Sequence, residues 1–190
     1  KLIKRGYYPK GGGEVNLEVL PSSVKSILLY QRKRKNVKLL CSFSHLPNEL
    51  IKKQIENIER KLTEKKFIVQ TQINEESAID SGASLLIFSI DEESIIGIDS
   101  IFDKKTEKFN LDLESFTENN LGVDERLADM LVLPASLTNE MTIFRVNNIS
   151  KHLETNLFVT SKITGCKYGV GKLSDGFEVR IEGVSNTSIK

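Results

Sequence analysis

The sequence predicts an α+β fold of layered α/β type, on three observations. Residues 37–115 read as a strand, a helix and three strands, a compact α+β module able to fold by itself. From residue 124 onward a second succession follows: helix, strand, helix and two strands. The chain of 190 residues is 39% hydrophobic and 28% charged, ordinary for a globular protein with one large domain or two small ones.

After the glycine run at 11–13, Val15, Leu17 and Val19 alternate with polar residues and predict a half-buried strand closed by Pro21-Ser22-Ser23. A second strand is expected at 26–30. The basic run Gln31-Arg32-Lys33-Arg34-Lys35 separates it from a third at 37–43. Leu50, Ile51, Ile55, Ile58 and Leu62 recur at helical spacing, so 48–61 is a helix begun at Pro47 and Asn48. Residues 67–71, 83–90 and 95–102 read as strands, and 83–90 is so apolar that it belongs in the centre of a sheet.

The stretch 103–120 is polar with weak helical character. A helix over 124–133 follows, capped by Asp124, with Leu127, Met130 and Leu131 on one face and Pro134 expected to end or kink it. A strand at 141–146, a helix at 150–160 and strands at 166–173 and 177–182 complete the chain, the last two joined by Ser174-Asp175-Gly176. The sequence has no defensible internal repeat and no low-complexity tract.

Net charge is +1, so any contact with nucleic acid must come from a local patch. The basic run at 32–35 is such a patch in principle, although a solvated turn is the commoner use. The acidic stretch at 74–80 reads as a solvated loop. Cys41 and Cys166 are far apart and form no CxxC pair, and with two histidines there is no zinc signature. Free thiols in a reducing cytoplasm are expected. No apolar run approaches the roughly 20 residues needed to cross a bilayer. The chain opens on Lys1 and runs at once into a glycine motif, so an upstream part is expected to be missing.

The densest local signal is Arg5-Gly6-Tyr7-Tyr8-Pro9-Lys10-Gly11-Gly12-Gly13-Glu14-Val15. Three glycines allow positive φ and close backbone approach, and exposed amides beside Arg5 and Lys10 could cradle a phosphate. The plainer use is a tight turn feeding a strand. It is not a P-loop, because no Gly-Lys-Ser or Gly-Lys-Thr follows and the loop leads into a strand.

This motif resembles that of RNA 3′-terminal phosphate cyclases: Arg-Gly, two variable residues, Pro, one variable residue, three glycines and an aliphatic strand. Two further segments keep that family's order. Glu125-Arg126-Leu127-Ala128-Asp129-Met130-Leu131-Val132-Leu133-Pro134 resembles its adenylate-contacting helix, and Ser150-Lys151-His152-Leu153-Glu154-Thr155-Asn156 the segment with its nucleophilic histidine. The resemblance implies repeated β-α-β-type units with a small inserted α+β domain, dividing the chain into a catalytic part at 1–36 and 116–190 and an insert at 37–115. It implies a ligase that uses ATP and a divalent metal, Mg or Mn, to close an RNA 3′-phosphate end into a 2′,3′-cyclic phosphate.

By the same resemblance His152 becomes covalently adenylylated. Arg126, Leu127, Ala128, Asp129 and Met130 contact the nucleotide, and Asp129 is also a candidate metal ligand. Periodicity alone would make Asp129 an exposed helix residue, and position alone would make His152 a surface residue. Arg126 and Met130 stand where relatives often carry His or Tyr and Gln; a guanidinium can still stack on adenine, whereas Met130 cannot make amide hydrogen bonds. Glu154 and Asn156 are candidates for orienting His152. His45 reads as structural. The partners implied are ATP and RNA with a 3′-phosphate, without a membrane, in the cytoplasm; the oligomeric state is open, a homodimer among the options. The alternative is a non-catalytic relative acting in ribosome assembly, against which the retained His152 speaks. A plain RNA-binding fragment draws no support from the charge or from an aromatic motif.

Overall fold

The computed structural model describes residues 1–184. These residues form the expected α+β fold, in two compact units. One unit comprises Lys1–Leu20, Lys35–Ser89 and Gly97–Thr117; the other comprises Pro21–Arg34, Ile90–Ile96 and the chain from Glu118 onward. This grouping by compactness puts Lys1–Leu20 with the central sheet, whereas the division expected from the motifs sorts the chain by chemistry.

In the first unit, β1 (Leu2–Lys4) and β2 (Glu14–Val15) pair antiparallel around the glycine motif. This unit also holds β4 (Asn36–Ser44), α1 (Asn48–Glu64), β5 (Ile68–Glu75), β6 (Gly82–Ile90), most of β7 (Ile95–Asp103), β8 (Lys108–Phe109) and most of α2 (Leu113–Glu118); the short β3 (Leu28–Leu29), which precedes β4 in the chain, belongs to the second unit. The sheet order is β5-β4-β6-β7-β8, so the apolar 82–90 segment is central, as its composition predicts. The β4-α1-β5 crossover makes a parallel pair, while β6 returns antiparallel. On α1 the apolar stripe of Ile51, Ile55, Ile58 and Leu62 is buried. Full burial of each such side chain contributes about 1.5–3 kcal/mol.

In the second unit, α3 (Glu125–Ser136), β9 (Met141–Val146), α4 (Lys151–Thr164), β10 (Lys167–Lys172) and β11 (Phe177–Glu182) follow in order. The sheet order is β10-β11-β9-β3, with β3 parallel to β9. Phe144, Val146, Val179 and Ile181 on one sheet face form a single core with Ala128, Val132 and Ala135 of α3 and Leu153 and Leu157 of α4.

Four expectations need correction. The alternation at Val15, Leu17 and Val19 produces only the two-residue β2, and these side chains are 68%, 81% and 79% exposed. A strand of that pattern needs a surface to cover its apolar face, and among the described residues β2 pairs only with β1. The strand at 26–30 contracts to β3. Pro134 does not end α3, which continues to Ser136; a proline costs the helix one hydrogen bond, and core packing of Ala135 and Val132 offsets it. Met130 does not share the packed face with Leu127 and Leu131: it is 74% exposed, and Ala128, Val132 and Ala135 form the inner stripe.

No helix among the described residues is long and apolar enough to cross a membrane. Both cysteines are buried free thiols, and burial pushes Cys41 up to about 11.

Candidate active site

The two helices singled out by their sequences meet in the second unit. Asp124 caps α3 by accepting the Leu127 amide at 2.9 Å. Ser150 caps α4 in the same way, its Oγ accepting the Leu153 amide at 3.0 Å. That hydroxyl also donates to Asp129 Oδ1 at 3.1 Å, tying the start of α4 to the middle of α3. Two more bonds flank it. Asn148 Nδ2 donates to Glu125 Oε1 at 2.9 Å, and Asn156 Nδ2 to the Asp129 carbonyl at 3.4 Å. Glu125 and Asp129 stand one helical turn apart on α3, which is why both can face the same approaching segment.

His152 is the second residue of α4 and is exposed. It lies in the first turn, where amides lacking an intrahelical partner favour a bound anion. Asn156 holds α4 against α3 through the Asp129 backbone, and Glu154 is exposed. Arg126 is exposed, Leu127 is half-buried beside the core, and Ala128 is fully buried and offers a ligand no side-chain surface. Met130 points outward.

Asp129 is half-buried and spends Oδ1 on Ser150. Among the described residues no group of three or more His, Cys, Asp or Glu side chains could hold a metal ion. Among the described residues there is thus no ready-made cage, and a lone carboxylate such as Asp129 would fit only an ion whose other ligands come from substrate phosphates and water.

The glycine motif lies in the first unit and is pinned there. Arg5 Nε sits 2.7 Å from Glu76 Oε2, and its Nη1 donates to Ser84 Oγ at 3.3 Å. The Lys10 amide donates to Asp80 Oδ2 at 2.8 Å, and the Gly11 amide to the Tyr7 carbonyl at 2.8 Å. Gly12 adopts φ +75° against Ile79, where a Cβ would come within 2.3 Å of that side chain. Arg5 and the amides of Lys10 and Gly11 are thus engaged by the protein, as in a tight turn. The acidic stretch at 74–80 is correspondingly not a solvated loop, since Glu76 and Asp80 clasp the motif. Sequence reasoning missed this pairing because the charges lie some 70 residues apart.

Tyr7 is the motif's buried anchor. Its hydroxyl donates to the Ser42 carbonyl at 3.0 Å, and burial raises its phenol above the ordinary value. Tyr7→Phe is expected to cost about 1–2 kcal/mol, read as a lower midpoint in urea with an unchanged slope. An unaltered midpoint would show the bond to be dispensable.

The basic run is also occupied. Lys33 Nζ lies 2.7 Å from Glu93, Arg34 pairs with Glu92, and the amides of both donate to Asp91 Oδ2. His45 is structural as expected, its Nε2 donating to the Ala78 carbonyl at 3.0 Å.

Residues 1–170 match the family model described as RNA 3′-terminal phosphate cyclase. The chain is 30% identical over 194 residues to the RNA 3′-terminal phosphate cyclase of Trichormus variabilis, an alignment covering 98% of this chain and 54% of that protein. A protein of the same name from Nostoc sp. is 29% identical, with 100% and 55% covered, and one from Saccharolobus islandicus is 31% identical, with 95% and 56% covered. The chain spans about half the length of the curated relatives it matches.

Proposed function

The chain belongs to the RNA 3′-terminal phosphate cyclase family, and from that premise we propose that the protein converts an RNA 3′-terminal phosphate into a 2′,3′-cyclic phosphodiester at the expense of ATP, with His152 as nucleophile. The observation that carries this reading is the bond from Ser150 Oγ to Asp129 Oδ1, which brings the adenylate-type helix α3 against the first turn of the histidine-bearing α4.

The chemistry runs in three displacements. Neutral imidazole of His152 attacks the α-phosphorus of ATP; an N–P bond forms, the bond to the bridging oxygen breaks, and pyrophosphate leaves. An oxygen of the RNA 3′-phosphate then attacks the same phosphorus, the N–P bond breaks, and His152 is restored. The RNA end now carries AMP as a leaving group, which a plain phosphate monoester lacks. The neighbouring 2′-hydroxyl attacks the terminal phosphorus, gives up its proton and expels AMP. Both groups sit in one nucleotide, so closure draws on effective molarities of about 10⁵ M or more.

The protein's own contribution is placement. The α4 amides favour the phosphate beside His152, and exposure of the imidazole leaves it open to substrate. Asp129 would supply one ligand to a divalent ion, which screens phosphate charge when bound. On the same reading the protein acts in the cytoplasm.

The test is incubation of the full-length protein with α-³²P-labelled ATP and Mg²⁺ or Mn²⁺, comparing wild type with His152→Ala. An acid-labile label on wild type, absent from a folded variant, is expected. Absence of label from folded wild type would favour the non-catalytic alternative.

A further inference from the structure

On the four-stranded sheet of the second unit, residues alternating with the core positions lie on the face turned away from α3 and α4. That face carries Arg145 of β9, Glu178 and Arg180 of β11, and Gly169 and Gly171 of β10, which stand opposite Arg180 and Glu178 in register. Glu178 is 10% exposed in its side chain and joins the two arginines: it accepts from Arg145 Nε at 2.9 Å on one oxygen, and from Arg180 Nε at 2.9 Å and Nη2 at 2.6 Å on the other. The guanidinium of Arg145 also lies 5.1 Å from the centre of the Tyr30 ring.

One carboxylate thus orients two guanidinium groups. Each guanidinium has five N–H donors; Arg145 gives one to Glu178 and Arg180 two. The group therefore keeps an excess positive charge and N–H donors that Glu178 does not take up, on side chains that remain partly exposed, and guanidinium groups of this kind recognise phosphate oxygens. Lys167 and Glu182 on the same face lie 3.9 Å apart and cancel.

The glycines are a second, independent observation. A Cβ at Gly169 would meet nothing within 4 Å, and one at Gly171 would only graze the Glu178 carbonyl at 4.0 Å. Among the described residues no packing requires glycine at these two positions, and together they leave a bare strip of backbone beside the arginines. Glycine inside a strand often marks a place where another backbone comes close.

We infer that this sheet face binds the phosphodiester backbone of single-stranded RNA, with Arg145 and Arg180 holding phosphates and the Gly169–Gly171 strip admitting the strand. The choice of RNA rests on the cyclase reading; the charge complementarity does not. On this inference the RNA leading to the reactive end is gripped by a surface separate from the α3–α4 contact.

The test is fluorescence anisotropy of a labelled single-stranded oligoribonucleotide ending in a 3′-phosphate, titrated with full-length protein across a salt series without ATP. Arg180→Gln leaves the Arg145–Glu178 pair in place. It is expected to weaken binding about eightfold near 50 mM salt and to reduce the slope of log affinity on log salt by about 0.7, as for one lost phosphate contact on a single strand. Gly169→Val is expected to weaken binding by filling the strip, and Gly169→Glu to weaken it further by adding negative charge; either side chain fits without disturbing the fold, so a purely structural ion network would respond to neither. Unchanged affinity and slope in all three folded variants would overturn the inference. Because no nucleotide is present, RNA binding that responds to these changes while His152 takes no label would sink the catalytic reading and leave this surface standing.

Discussion

Gly122→Ala is expected to unfold the second unit or to lower its stability by about 3–5 kcal/mol, a large share of the roughly 5–15 kcal/mol that holds a domain together. A Cβ at position 122 would lie 2.1 Å from the Leu29 carbonyl oxygen, 2.3 Å from its carbon and 2.9 Å from the Tyr30 nitrogen. All three are backbone atoms, so no side chain can swing aside. The surrounding segments are tightly laced: Gln31 bridges Leu121, Arg32 donates its amide to the Asn120 carbonyl at 2.9 Å, Ile95 donates to the Gly122 carbonyl at 2.8 Å, and Ile95 bridges Val123. Making room for one methyl group means prising apart hydrogen-bonded main chains next to Leu29 and Val123, both core residues. Thermal unfolding should show a fall in Tm of about 10 °C or more. Gly169→Ala, where the added carbon meets open space, is the control expected to change little. A Gly122→Ala protein melting within about 2 °C of wild type would refute the close approach.

Asp129→Ala should slow nucleotide labelling of His152 by about 100-fold, the scale on which loss of a positioning group is felt. The substitution removes both the acceptor for Ser150 Oγ and a carboxylate beside the start of α4. Asp129→Asn separates these roles, since an amide oxygen still accepts from Ser150 but carries no charge. If Asp129 acts by setting the cap, Asn should recover at least tenfold of the lost rate. If Asn is as slow as Ala, the charge itself serves the nucleotide or its metal. Labelling at the wild-type rate in a folded Asp129→Ala protein would remove Asp129 from the site.

Much of the secondary structure was legible because local rules coincide with tertiary demand. The stripe on α1 marks the face that is buried, and the termini of β11 fall where the alternation of Phe177, Val179 and Ile181 places them. Asp124 reads as a cap because a side-chain oxygen before an apolar periodic run satisfies an amide at the open helix end, whereas Ser150, expected to begin its helix, proves to be the cap of α4 only in the structure. The same reasoning misled at residues 15–19, where alternation states only that one face is apolar and not that anything covers it. It misled again at Pro134, where packing of neighbouring residues outweighs the missing amide. Of the candidate site, His152 and Asp129 were singled out by motif resemblance, while exposure of Met130 and burial of Ala128 needed the helix rotation that the core imposes.

The sequence by itself determined the α+β class, the Asp124 cap of α3 and the family, since these depend on residue type and spacing within short windows. Tertiary structure alone decided that Ser150 reaches Asp129, that Arg5 is neutralised by Glu76, and that Glu178 holds Arg145 and Arg180 on one open face. Each of these joins groups through sheet register or helix packing, and a charge carries no record in the sequence of which distant partner will be folded against it.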